Sequence, residues 1–175
     1  MNEEAFSGIA ESLDAPMVIV TTAAGGERAG CLVGFHAQVS IDPLRYAVWL
    51  SKANHTYRVA LLAQHIAIHF LGRDDHDLAE LFGTKSGDDL DKFTECPVEP
   101  TDAGPPALSR CPNRVLLRRT ALFDHGGDHV CFIGEPVDVR ADGQLEPLRL
   151  SDLGDLDAGH AVDERPVPPT ERAAG

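Results

Sequence analysis

Residues 17–51 read MVIVTTAAGGERAGCLVGFHAQVSIDPLRYAVWLS, and the fold is decided in this stretch. Met17-Val18-Ile19-Val20-Thr21-Thr22 is a β-branched run of the kind that fills a buried strand. Gly25-Gly26 is a turn signal that can close a hairpin onto residues 28–35. Residues 38–41 are again strand-like, Asp42-Pro43 breaks the chain, and Tyr46-Ala47-Val48-Trp49-Leu50 is a further strand. Several strands at short spacing, joined by tight turns, predict a closed or half-closed antiparallel barrel.

Outward from this stretch the pattern holds. Residues 4–14 predict a short amphipathic helix with Phe6, Ile9 and Leu13 at helical spacing, ended by Pro16. Residues 54–64 predict a second helix, 66–71 a strand, and 77–82 a third helix with acidic residues in its first turn, where the helix dipole favours them. Pro97, Pro100, Pro105, Pro106 and Pro112 predict that residues 96–112 hold no regular element. Residues 114–123 and 129–139 form the clearest hairpin, turning at Gly126-Gly127-Asp128. Strand–helix alternation of the doubly wound kind is absent. From about residue 150 the composition shifts to Asp, Pro, Gly and Ala. The expected organisation is one domain over residues 1–150 and an acidic, Pro-rich, flexible tail over 151–175, or an arm that orders against a partner subunit.

The formal net charge of −13 opposes binding to nucleic acid or to an anionic membrane surface. Cys31, Cys96, Cys111 and Cys131 show no paired or zinc-like spacing, and read as reduced thiols packed as small hydrophobes. The first residues have no signal-peptide pattern, and no apolar run approaches the roughly 20 residues that span a bilayer. A cytoplasmic location is expected.

Three segments could carry chemistry. In residues 30–40, Gly34 and Ala37 are small enough to open backbone amides to a flat ring, or else mark a bulge in a barrel strand. Ser51-Lys52-Ala53-Asn54-His55-Thr56, at the passage from strand to helix, gathers hydroxyls, an amide, a lysine and free helix N–H groups. A phosphate monoester needs such donors, although Asn54 and Thr56 also suit helix caps. Asp124-His125-Gly126-Gly127-Asp128-His129 has the ligand types of a metal site but reads better as a Gly/Asp hairpin turn, so no metal is assigned. His65 and His69 read as structural, Trp49 and Phe70 as core aromatics, and Arg118-Arg119 as pointing to opposite faces of a strand. No nucleophile elbow, P-loop or dinucleotide fingerprint is present, so an enzyme of this sequence would rely on a cofactor.

In order, Pro16 to Thr22, Gly30 to Ser40, Asp42-Pro43, Leu50 to Thr56, Ile66 to Leu71, Leu78 to Gly83, Asp91-Lys92-Phe93 and Gly127 to Glu135 resemble the flavin reductase-like, FMN-binding split-barrel family over about residues 13–140. The resemblance implies a mainly β protein with short helices, a six-stranded antiparallel split β-barrel, working as a homodimer. It implies an FMN-binding oxidoreductase that uses NAD(P)H, with FAD or a deazaflavin as alternative cofactors. Reduced flavin would serve a partner monooxygenase or another flavin-using acceptor. Val33, Gly34, Phe35, Gln38, Val39 and Ser40 are implied on the ring and ribityl side, and Ser51, Lys52, Asn54 and Thr56 on the phosphate side. His129 matches a histidine near the nicotinamide, and Phe93 would approach the ring from its loop. Where many relatives are rich in Thr and Ser, this chain has Leu32-Val33-Gly34-Phe35-His36. Ribityl and phosphate contacts would then fall to backbone amides. The departure also supports a second reading, a split-barrel protein that holds a flavin, deazaflavin or haem-type ligand without NAD(P)H turnover.

Overall fold

The computed structural model describes residues 2–87 and 90–154. Among these the chain order is α1 (Glu3–Ser12), β1 (Val18–Ala24), β2 (Glu27–Val33), β3 (His36–Ser40), β4 (Arg45–Ser51), α2 (His55–Leu62), β5 (His65–Phe70), α3 (His76–Thr84), β6 (Val98–Glu99), β7 (Ala107–Leu108), β8 (Arg114–Phe123) and β9 (His129–Arg140). Seven strands make one antiparallel sheet in the order β2-β1-β5-β8-β9-β4-β3. The count exceeds the expected six and includes the short edge strand β3. The sheet curls until β2 and β4 approach each other, and α2 packs on β1, β2 and β4 at that split.

Strand β1 explains why its sequence is apolar without alternation. Val18 and Val20 face the barrel interior with Val33, Leu50, Ile68, Leu117 and Phe132. Met17 and Ile19 face the other side, where Leu71, Leu78, Phe82, Phe93 and Leu108 form a second core. Both faces are buried, so every position is selected for burial. The hydroxyls that continue the strand are satisfied: Thr21 donates to Pro106 O at 2.7 Å and Thr22 to His65 O at 3.0 Å. On β2, a Cβ at Gly30 would lie 2.8 Å from Phe82 Cε1, so the missing side chain admits the Phe82 and Phe93 rings. Lys92, only 4% exposed, spans the same contact and donates to Gly30 O and Phe82 O. Burial lowers its pKa, so its proton depends on those two carbonyls.

Several sequence expectations change in detail. The proline-rich stretch does hold regular structure, since β6 and β7 pair as a two-residue ladder between the prolines. A ladder this short needs few N–H groups and so tolerates proline neighbours. Helix α1 forms as expected, but Phe6, Ile9 and Leu13 are exposed rather than packed on the rest of the chain. Ordered chain also passes residue 150: Leu148 is fully buried, and the 3-10 turn Leu150–Leu153 is tied to Asp14 through Ser151 at 2.8 and 3.0 Å. The expected tail over residues 155–175 lies outside the described residues. Arg118 and Arg119 do point apart, Arg118 to Glu135 and Arg119 to Ala60 O and Leu61 O, the open carbonyls at the end of α2.

His69 is structural. It is completely buried between the two cores, with Nδ1 3.3 Å from Ile19 O and Nε2 accepting the Leu108 N–H at 3.0 Å. The acceptor role of Nε2 puts the single proton on Nδ1. Burial brings its pKa down from 6.5 to about 4. Between those values the unfolded chain binds a proton that the native protein refuses, so stability falls as pH drops through that window. The expected loss approaches about 3 kcal/mol. His36, half-buried between Tyr46 OH (2.7 Å) and Pro16 O (2.9 Å), is also held below its ordinary range by desolvation and acts in the same direction. Urea unfolding from pH 7 to pH 4 should show this loss, and His69→Leu should be weaker at pH 7 but distinctly flatter across the window.

Candidate functional site

The site forms where β2 passes into β3. Gly34 and Phe35 occupy this corner, beside β4 and the start of β9. The Phe35 carbonyl accepts the Trp49 N–H at 2.9 Å, locking the corner to β4. Along β4, Val48 and Leu50 point into the barrel core, whereas Trp49 and Ser51 share the opposite parity. Trp49 is therefore not the core aromatic expected. Strand alternation places it on the same face as Ser51.

Two adjoining clefts open here. One, of about 240 Å³, is lined by Met17, Leu32, Val33, Gly34, Phe35, Trp49, Ser51, Asn54 and His129, with Ala15 and Leu150 at its edge. The second, of about 490 Å³, shares Gly34, Phe35, Trp49 and His129 and adds His36, His125 and Asp128. Both are mainly apolar with few polar groups, the usual make-up of a small-molecule site. A Cβ on Gly34 would meet only Met17, at an ordinary 3.4 Å. The protein's own packing thus does not require glycine there. The missing side chain leaves open backbone between two aromatic residues.

The polar rim is built by pairing β4 with β9. Ser51 lies opposite His129. The Lys52 N–H donates to Asp128 O at 2.8 Å, and Lys52 Nζ meets Asp124 Oδ1 at 3.0 Å. The Gly126 N–H and Lys52 together hold the Asp124 carboxyl below its usual range. Asp124 to Asp128 is thus the hairpin turn that the sequence predicts, and among the described residues no group of three metal-ligating side chains could hold an ion. His129 Nδ1 lies 2.8 Å from Asp128 Oδ1, and the Phe35 ring meets the imidazole edge-on at 5.3 Å between centroids. Asn54 stands at the N-cap position of α2, yet its side chain makes no capping hydrogen bond and lines the cleft instead.

The structure brings Val33, Gly34, Phe35, Ser51, Asn54 and His129 together, with Lys52 on the adjoining rim. It does not bring the other expected residues to this cleft. Gln38, Val39 and Ser40 lie further along β3 beside a separate shallow hollow with Ile41 and Asp42, because the edge strand carries them away from the corner. Phe93 packs under Phe82 and lines a third cleft of about 620 Å³ near the β1–β2 turn, with Arg28 stacked 5.1 Å above its ring. Thr56 is 1% exposed and hydrogen-bonded with Cys31, whose thiol burial pushes up to about 11. Two positions beyond the cap, its side chain turns inward. Sequence reasoning missed Met17, Leu32 and Trp49 as cleft residues; Met17 and Leu32 belong to the strands that frame the corner.

A curled antiparallel sheet with a ligand-sized cleft at one corner is the split-barrel class of cofactor-binding protein. Residues 10–154 match the flavin reductase like domain, and the chain belongs to that family. It is 26% identical over 161 residues to the ferric-chelate reductase (NAD(P)H) of Archaeoglobus fulgidus, covering 87% of this chain and 88% of that protein. It is 27% identical over 150 residues to an NADH:riboflavin 5'-phosphate oxidoreductase of Streptomyces pristinaespiralis, covering 84% and 82%. In fold it is similar to an NADH:FAD oxidoreductase of Streptomyces globisporus, with a TM-score of 0.78, 17% identity, and 97% and 95% of the two chains covered. It is also similar to an FMN-binding protein of Thermus thermophilus, with a TM-score of 0.67, 23% identity, and coverage of 72% and 70%.

The assignment of Thr56 as internal is directly checkable. Thr56→Val should cost about 1 kcal/mol in chemical unfolding, the scale of one hydrogen bond, and leave ligand affinity at the cleft unchanged. A loss of affinity without a loss of stability would return Thr56 to the site.

Proposed function

We propose that this chain is an NAD(P)H-dependent flavin reductase that holds FMN, or the flavin end of FAD, in the cleft at Gly34. The observation that carries this reading is Gly34 itself: a residue without a side chain, not required by packing, between Phe35 and Trp49 at the mouth of an apolar cleft. Membership of the flavin reductase like family supports it, as do relatives named for NAD(P)H-dependent reductase activity.

The residues present fit the group. Phe35 and Trp49 supply apolar walls for a flat ring, and Gly34 presents bare backbone between them. Ser51 and Asn54 supply polar contacts at the N-terminus of α2, whose first N–H groups favour a phosphate. When bound, a flavin supplies the redox step, taking a hydride from reduced nicotinamide and a proton from solvent, with oxidised nicotinamide released. The chain orients the two rings and keeps water from the apolar cleft. His129 stands at the shared border of the two clefts, where it can touch a second ring lying in the larger one.

The same reading includes a homodimer. Val39, Ile41 and Leu44 around edge strand β3, and Phe123, Val137 and Val139 on the long β8–β9 ribbon, are exposed apolar residues that a second copy can cover. Reduced flavin then passes to an acceptor such as a partner monooxygenase. The four cysteines are buried and unpaired, which suits the reducing cytoplasm.

The test is an FMN titration of purified protein, followed by NADH and NADPH without oxygen. Flavin binding followed by bleaching of its absorption is expected. Failure to bind FMN and FAD overturns the reading, and binding without bleaching favours a flavin-holding protein instead. Gly34→Leu should weaken FMN binding by about tenfold or more, equivalent to about 1.4 kcal/mol, while the thermal midpoint changes little. Light scattering should give twice the 18.8 kDa chain mass.

A further inference from the structure

His129 is held from two directions. Its main chain opens β9 opposite Ser51, and its ring is fixed between the Phe35 edge at 5.3 Å and the Asp128 carboxylate at 2.8 Å. Asp128 is itself anchored, because its carbonyl accepts the Lys52 N–H at 2.8 Å. The hydrogen bond from His129 holds the Asp128 carboxyl below its usual range, so near neutrality this group is a carboxylate and can only accept. The proton in the 2.8 Å contact therefore belongs to His129 Nδ1. In the neutral imidazole this leaves a lone pair on Nε2, beside the cleft that His129 shares with Gly34, Phe35 and Trp49.

We propose that Asp128 is a positioning residue that fixes His129 in the Nδ1–H tautomer, so that Nε2 accepts a hydrogen bond from the carboxamide N–H of reduced nicotinamide. This inference rests on the flavin reductase reading and deepens it. A free imidazole favours the opposite tautomer, which would donate from Nε2 to the carboxamide oxygen instead of accepting from its N–H. The carboxylate reverses that preference and sets how the nicotinamide ring lies before hydride transfer. Asp128 also lines the larger cleft, and the role assigned to it is to orient His129. It acts only through His129.

Two readouts test the proposal. Nitrogen NMR of histidine-labelled protein at about pH 8, above the ordinary histidine range, should show His129 protonated at Nδ1, its signal assigned by loss in His129→Asn. In Asp128→Ala the His129 signal should move to the Nε2–H form, and KM for NADH should rise by about tenfold, the loss of one well-placed hydrogen bond, with kcat changed far less. Asp128→Asn retains an accepting oxygen and should recover the native tautomer and most of the lost affinity. A native Nε2–H tautomer overturns the proposal, as does an unchanged KM in Asp128→Ala. An equal loss in Asp128→Asn and Asp128→Ala overturns it too, since charge rather than orientation would then matter. A native protein that binds flavin but is inert toward NADH and NADPH overturns the functional reading and the acceptor role together. The tautomer is read without turnover, so a failure of positioning remains distinct from that result.

Discussion

Burial of β1 on both faces is the constraint on which the remaining structure depends. Val18 and Val20 look into the barrel, and Met17 and Ile19 look out under α3. A sheet of this size ordinarily needs one covered face. Here one inner strand of the sheet belongs to both cores, so the two cannot be changed independently. The close approach of Phe82 to Gly30 and the buried Lys92 ammonium extend the same join into β2. His69 completes it, linking Ile19 to Leu108 as a neutral ring. Even the chain near Leu148 is drawn in, accepting from Met17 and donating to Leu71.

The candidate site is a consequence of that arrangement. A barrel closed by curling has a split, and the chain must turn a corner where β2 leaves the closed part for the edge strand β3. Met17, at the entry of the doubly buried strand, packs beneath that corner and leaves Gly34 open above it. The β8–β9 hairpin reaches the same place because its turn is tied to Lys52 through backbone and side chain. Residues far apart in sequence thus meet at one cleft, each held by an element that is rigid for reasons of core packing. Such support is what a site that orients two rings needs, since its own residues supply little acid–base chemistry.

The net charge of −13 is compatible with anionic cofactors only because local fields outweigh the total. At the N-terminus of α2, the helix dipole and Lys52 concentrate positive potential within a few ångströms, although Lys52 is shared with Asp124. The pairing limits the strength of any phosphate contact by that lysine.

Strand positions, the Gly25-Gly26 and Gly126-Gly127 turns, the two helices between strands and the order of family-like segments were legible in the sequence, because periodicity and turn chemistry are local properties. Ser51, Asn54, Gly34 and His129 were legible as site candidates for the same reason, as residue types unusual at strand ends. Trp49 was misread as core because a single aromatic in an apolar strand does not reveal which parity faces inward. Thr56 and Phe93 lie away from this cleft, because a helix position or loop position fixes no direction until the neighbouring layer is present. Gln38, Val39 and Ser40 follow the corner in sequence but are carried away from it in space. The sequence by itself determined the elements and the kind of chemistry, through patterns that span a few residues. Only the tertiary structure decided which residues share the cleft, because curling the sheet, pairing β4 with β9 and burying β1 twice are long-range events that set the direction of every side chain at the split.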